Sequence, residues 1–269
     1  MSIRKYYGDF TTYTVGGTSL IDSLSDAVLT VNAGHDEGKG MARLHESPQL
    51  VVKGFSLEAT ATSNVAGVGR VTNLNLTGFT VGGTAYLANV DSVSFSGSMS
   101  HAEGKGAADF WEFPNVVSAG FSGKARLKVP AADFPALDAL AADATVAGNY
   151  VAISATLNGV VLTIPVALTM FTRETPIDDI QYFSIDFVGR DPLTGTYPTA
   201  PTGTTSLLEK AIVQPRTALA FSFKPSSDAG TYSGNLVWSA WDFSVNNTGV
   251  VRTKYSWKGA GTLGYTAPA

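Results

Sequence analysis

Apolar and polar residues alternate with a period of two along most of the chain. Val51, Lys53, Phe55, Leu57 and Ala59 alternate with Val52, Gly54, Ser56, Glu58 and Thr60, and Val93, Phe95, Gly97 and Met99 alternate with serines. The habit continues through Val166, Leu168 and Met170, through Ile180, Tyr182 and Ser184, and through Leu236, Trp238 and Ala240. Successive side chains on a strand point to opposite faces, so the pattern predicts strands with one dry face and one Ser/Thr-rich face. Turn signals separate them at Gly16-Gly17, Gly82-Gly83, Asn158-Gly159, Asp228-Ala229-Gly230 and Asn246-Asn247-Thr248-Gly249. The expected fold class is mainly β.

One segment breaks the alternation. From Ala131 to Ala144 the apolar positions Phe134, Leu137, Leu140, Ala141 and Ala144 recur at helical spacing, with Asp133 placed to cap and Pro135 near the first turn. A shorter helix is expected from Ser206 to Val213, ended by Pro215. The stretch Thr194 to Thr205, rich in proline and glycine, reads as a linker or long surface loop.

The chain also repeats itself. Phe10 to Ser56 can be laid on Leu76 to Ser122 without a gap. Thr14-Val15-Gly16-Gly17-Thr18 then falls on Thr80-Val81-Gly82-Gly83-Thr84, and His35, Glu37, Gly38, Lys39 and Gly40 fall on His101, Glu103, Gly104, Lys105 and Gly106. Gly54-Phe55-Ser56 falls on Gly120-Phe121-Ser122. A second, weaker correspondence lays Val151 to Gly195 on Phe221 to Tyr265, matching dry positions such as Ile153/Phe223, Val166/Leu236, Leu168/Trp238 and Phe187/Trp257. Common ancestry and the shared grammar of β-hairpins both produce such a match. If both correspondences are homologous, one two-part β domain is inserted in another: residues 1–75 plus 200–269 form the first, split domain and residues 76–195 the second.

Composition narrows the function classes. The 269 residues include no cysteine, which excludes disulfides, thiolate catalysis and cysteine-ligated zinc. A net charge of −4 argues against a general nucleic-acid-binding surface, which needs lysine and arginine to neutralise phosphates. Charged residues are 15% of the chain, against an average of about 25%, and 28 glycines take part of their place. The basic start Met1-Ser-Ile-Arg-Lys5 is followed by no apolar run of signal-peptide length, and the longest apolar segment, Val160 to Phe171, is interrupted by Thr163, Pro165 and Thr169. A protein made and kept in a cytoplasm, without a membrane partner, is expected.

The two His-x-Glu-Gly-Lys-Gly hexapeptides are the segments that most resemble a site. A phosphate loop places Ser or Thr after its lysine, whereas Gly40 follows Lys39 and Gly106 follows Lys105. One histidine and one carboxylate per copy fall short of a closed metal site. The plainer reading is a charged hairpin arm. No nucleophile elbow occurs, since Phe95-Ser96-Gly97-Ser98-Met99 lacks the first glycine, and a triad would have to draw its base from His35, His45 or His101. Neither an enzyme nor a cofactor is expected. Trp111, Trp238, Trp241 and Trp257 offer either a sugar-stacking platform or core; Trp238 and Trp257, on dry strand positions, read as core, and Trp111 as an interface residue.

Taken together, several segments resemble the tail tube proteins of long-tailed bacteriophages. They are the hairpin strand Asp91 to Ser100, the charged glycine-rich arm after it, Phe113-Pro-Asn-Val-Val-Ser-Ala-Gly-Phe-Ser-Gly-Lys-Ala-Arg126 and the helix that follows. Ile177 to Gly189 and Asn247 to Leu263 extend the resemblance over most of the chain. It implies β-sandwich domains with one flanking helix each, joined side by side into stacked rings whose inner sheets close a barrel, with DNA passing through the lumen without specific binding. The implied partners are further copies of the chain, as a trimer with pseudo-sixfold symmetry or a hexamer, and tail terminator and tail tip proteins. The implied location is the virion tail, after assembly in the host cytoplasm. The arms, with His35, Glu37, Lys39 and Arg43 in one and His101, Glu103, Lys105, Asp109 and Trp111 in the other, are expected to contact the neighbouring ring. The competing class is a virion decoration protein or a receptor- or carbohydrate-binding β-sandwich.

Overall fold

The computed structural model describes residues 3–6, 11–20, 26–38, 47–64, 76–104, 112–144, 150–157, 160–174, 181–189, 194–196, 207–208, 210–212, 214–246 and 250–268. In chain order the first strands are β1 (Ile3–Tyr6), β2 (Thr12–Val15), β3 (Thr18–Ser19), β4 (Asp26–Gly38) and β5 (Ser47–Asn64). Next come β6 (Leu76–Val81), β7 (Thr84–Ala85), β8 (Val90–Glu103) and β9 (Pro114–Val129), then the helix α1 (Phe134–Ala144). The chain ends with β10 (Val151–Leu157), β11 (Val160–Glu174), β12 (Gln181–Gly189), β13 (Thr194–Thr196), β14 (Leu219–Lys224), β15 (Thr231–Asn246) and β16 (Val250–Thr266). The fold is mainly β, as expected, and every strand belongs to one antiparallel network.

Two sets of strands follow one pairing order. In the first, β3, β2, β14, β15, β16, β5 and β4 are successive neighbours; in the second, β7, β6, β10, β11, β12, β9 and β8 are. The registers correspond residue by residue. Thr30 faces Ser56 and Ser96 faces Ser122, pairs that the first correspondence lays on one another, and both ladders slip at the same place, Gly34/His35 and Ser100/His101. In the second correspondence Leu168 faces Phe187 and Trp238 faces Trp257, and each ladder then carries one extra residue, at Thr169 and Ser239. The expected partnership of Ile153 with Phe223 is off by two: Ile153 faces Val81 and Phe221 faces Val15, so Phe221 is its counterpart.

The bulges also correct the expected alternation. Val166 and Leu236 are buried, but Met170 is half exposed and Ala240 is partly exposed, because the extra residue turns the following side chains over. On β12 the dry positions are Phe183, Ile185 and Phe187, not Tyr182 and Ser184. The mixed sequence Tyr-Phe-Ser-Ile-Asp-Phe allows either phase, and the pairing with Leu127, Ala125 and Gly123 of β9 selects the one that buries phenylalanine. The segment expected to be a linker contributes β13, which pairs Thr194–Thr196 with Val161–Thr163 of β11 on the side that β12 occupies farther along.

The helix forms where it was expected, with Phe134, Leu137 and Ala141 buried. Residues 207–208 and 210–212 are also helical, and Leu207, Leu208 and Ala211 are buried. Each helical segment rests on a two-glycine hairpin. Gly16-Gly17 and Gly82-Gly83 all have positive φ, as a two-residue primed turn requires. A Cβ on Gly82 would lie 2.8 Å from Leu140 of α1, and one on Gly16 would lie 3.1 Å from Lys210, whose ammonium hydrogen-bonds the Gly16 carbonyl.

The core is aromatic. Phe95 lies 5.9 to 6.5 Å, centroid to centroid, from Phe79, Phe121, Phe187 and Phe243, and Trp238 and Trp257 pack at 5.1 Å. Each such side chain contributes about 1.5–3 kcal/mol by leaving water. The packing leaves no space beside Gly97, where a Cβ would overlap the Trp241 indole. Gly97→Ala is therefore expected to destabilise the protein by about 1–3 kcal/mol, read as a lower urea midpoint with an unchanged slope.

Burial pushes the Tyr13 hydroxyl, helped by the charge of Asp26, and the Tyr255 hydroxyl well above the ordinary value of 10.0. Both stay neutral in the folded state, whereas the unfolded chain ionises near pH 10, so stability is intact below about pH 10 and falls as pH rises beyond it. A spectroscopic alkaline titration should show exposed tyrosines ionising first and a second group ionising only together with loss of the fold.

Candidate assembly surface

The two sets of strands meet in one joint. β15 pairs with β14 through Leu236, passes its bulge, and then pairs with β8 from Ala240↔Ser98 to Asn246↔Ser92. The eight strands β4, β5, β16, β15, β8, β9, β12 and β11 thereby form an unbroken run. At the joint the Trp241 indole lies over Gly97, Phe243 stacks on Phe95 at 6.1 Å, and both Trp241 and Phe243 are buried. His101 Nε2 lies 2.7 Å from the Trp238 carbonyl oxygen, beside the bulge. A carbonyl only accepts, so Nε2 carries the proton and donates across the joint.

The corresponding edges at the two ends of the run are arranged differently. On β11 the pairing with β10 stops at Val166, and among the described residues no strand pairs with Ala167–Glu174 on that side. Phe171, at the position equivalent to Trp241, is 42% exposed, although it lies on the core-facing side and stacks on Phe183 at 6.4 Å. Arg173, the counterpart of Phe243, covers the Phe134 ring at 4.3 Å and hydrogen-bonds Gln181. At the other end β4 carries β1, with Ile3 to Tyr6 opposite Thr30 to Ala27.

One face of the eight-stranded run is polar and carries charges of both signs. Among the described residues, Arg252, Lys254, Lys258, Lys124, Arg126 and Lys128 lie among Asp26, Glu58, Asp242, Asp91, Asp186 and Glu174, with Glu103 farther along β8. Several are paired: Lys124 with Asp186 at 2.8 Å, Arg126 with Glu174 at 2.7 Å and Asp91 at 3.3 Å, and Lys254 with Glu58 at 3.1 Å. Arg126 also stacks over the Tyr182 ring at 4.0 Å, and its bond to Glu174 holds its guanidinium above the ordinary range.

The arm residues chosen from sequence divide into three groups. His101 and Glu103 lie on β8 opposite Val116 and Pro114; Glu103 is exposed, while His101 is tied to the joint. His35 and Glu37 lie on β4 opposite Leu50 and Pro48. Lys39, Arg43, Lys105, Asp109 and Trp111 lie outside the described residues. The edge of β11 beyond Val166, which no described strand covers, and the exposed Phe171 were not among the sequence candidates. The second correspondence lays Phe171 on Trp241, which marks the equivalent position but not whether the edge beside it is paired. Trp238, Trp241 and Trp257 are all buried.

Among the described residues no three His, Asp or Glu side chains converge as metal ligands, and no helix is long and apolar enough to cross a membrane. No known family model matches the chain, and no curated protein matches it either.

Arg126 supports the polar face through two carboxylates and a ring, all partly in water. Arg126→Ala is expected to lower stability by about 0.5–1 kcal/mol, with the loss shrinking at high salt; urea unfolding at two ionic strengths measures it.

Proposed function

We propose that this chain is a structural virion protein that polymerises into stacked rings to form a phage tail tube, the conduit for DNA. The observation that carries this reading is the run of eight strands made of two four-stranded sheets in one order, joined by β8 and β15, with the equivalent edges of β11 and β4 at its ends. A joint used once inside the chain and available again between chains is a head-to-tail contact, which closes into a ring when its rotation divides the circle. Three chains would supply six such sheets, giving trimeric rings with pseudo-sixfold symmetry. At a strand spacing of about 4.8 Å and a tilt of about 40°, about 24 strands enclose a barrel about 48 Å across at the backbone, enough for duplex DNA.

The polar face supports the same reading. A conduit must let the phosphate backbone slide, and each unpaired lysine or arginine facing it would add affinity. A face that mixes both signs, with Lys124, Arg126 and Lys254 paired to carboxylates, supplies little net attraction. The buried state of three of the four tryptophans removes most of the stacking surface that a carbohydrate-binding module would use. The arms beyond β4 and β8, including Lys39, Arg43, Lys105, Asp109 and Trp111, are assigned to contacts between rings. Tail terminator and tail tip proteins are the partners at the two ends of the tube, and the virion tail, assembled in the host cytoplasm, is its location.

Negative-stain imaging of the purified protein should reveal hollow rods or rings with three chains per turn; monodisperse particles at all concentrations would sink the proposal, and six full-length chains per ring would sink its symmetry. Deleting residues 104–111 should leave single rings intact while shortening the rods.

A further inference from the structure

β1 and β13 are the described strands without a counterpart in the other set, and β1 sits where the pairing of the two sets diverges. On β8, residues Ser92 to Ser98 are covered by β15. The equivalent residues of β4 are Asp26 to Asn32, and β1 covers Ala27 to Thr30. The strand equivalent to β15 is β11, whose matching residues begin at Met170 and have no described partner on that side.

We infer that β4 of a second copy of this chain adds to the free edge of β11 in the register of the internal joint, and that β1 is a self-plug that must leave β4 before this happens. The inference rests on the self-assembly reading and deepens it by naming the contact and its control. Carrying the internal register over through the two sequence correspondences places Phe171 opposite Val31, Thr172 opposite Thr30 and Glu174 opposite Val28 of the second copy. The fit follows from size. Trp241 needs a glycine opposite, and Gly97 is there; the smaller Phe171 meets the larger Val31.

The register also assigns a task to the histidine kept in both repeats. His101 donates to the Trp238 carbonyl across the internal joint. His35 is its counterpart and Leu168, at the equivalent bulge, is the counterpart of Trp238. His35 of one copy therefore donates to the Leu168 carbonyl of the next. While β1 is in place, Ala27 to Thr30 of β4 are paired on their outer edge within the chain, which blunts the edge in the way that monomeric β-proteins use covering strands. Assembly exchanges this short ladder for a longer one that also buries Phe171.

The chain has no cysteine, so engineered pairs report cleanly. Opposed residues of an antiparallel pair lie within disulfide range. Thr172→Cys combined with Thr30→Cys should give, on oxidation of assembling protein, covalent species that end at a closed ring. Mixing the two single variants should give only two-chain products. Thr172→Cys with Asn32→Cys, two positions out of register, should cross-link far less. Rods or rings that form without the first cross-link would overturn the register while leaving the tube reading intact; the cross-link without rods or rings would do the reverse.

Lys5→Cys with Val28→Cys should lock β1 onto β4 when oxidised, hold the protein monomeric in sedimentation, and release assembly on reduction. Equal assembly in both states would overturn the plug. His35→Ala should raise the concentration needed for half-assembly by about fivefold, the worth of one lost hydrogen bond, with the thermal midpoint of the monomer unchanged. His101→Ala should lower that midpoint. The same response from both variants would remove His35 from the joint.

Discussion

A β-strand carries a row of hydrogen-bonding groups on each edge, and each row has to be satisfied by another strand, by water or by a cover. In this molecule that demand shapes nearly everything else. β15 pairs one edge with β14 from Tyr232 to Leu236, passes a bulge at Ser239, and pairs the rest of that edge with β8. The bulge lets one strand serve two neighbours, and the second neighbour belongs to the other set. Had β15 ended at its bulge, the two sets would have shared no ladder and the eight-strand run would not exist.

The same long, bulged strand occurs twice, but among the described residues only one copy has a partner strand beyond its bulge. Around β15 the aromatic side chains are sealed by β8, whereas on β11 Phe171 remains open and Arg173 lies over Phe134. The contrast between a buried tryptophan and an exposed phenylalanine at equivalent positions comes from the neighbour, not from the residue. A side chain on the core-facing side is exposed when the next strand is missing.

The low charge and abundant glycine follow from the same arrangement. Gly97 and Gly123 leave room for Trp241 and Phe187 from adjoining strands, and glycine pairs close the hairpins beneath the helices. Many of the charged residues lie on one face of the run, where several form opposite-sign pairs.

Much of this was legible in the sequence. The β class, the glycine hairpins, α1 and the burial of Trp238 and Trp257 follow from local periodicity and size, because those signals act between near neighbours. The first correspondence was plain in identical residues such as His35 and His101, and it aligns with the strand registers; the second rested on dry positions and placed the partner of Ile153 at Phe223 instead of Phe221. The phase of β12, the change of face after Thr169 and Ser239, and the contribution of β13 were not legible, since each depends on which distant strand supplies the opposite ladder. The role of His101 was hidden for the same reason: its partner is the Trp238 backbone carbonyl, far along the chain. Sequence by itself determined that the chain would form strands with one dry face, and, away from the bulges and β12, which residues they would bury. Only the tertiary structure decided which edges were left for another strand, because an edge is a property of the backbone, which every residue shares, and no side-chain pattern records whether it is already paired.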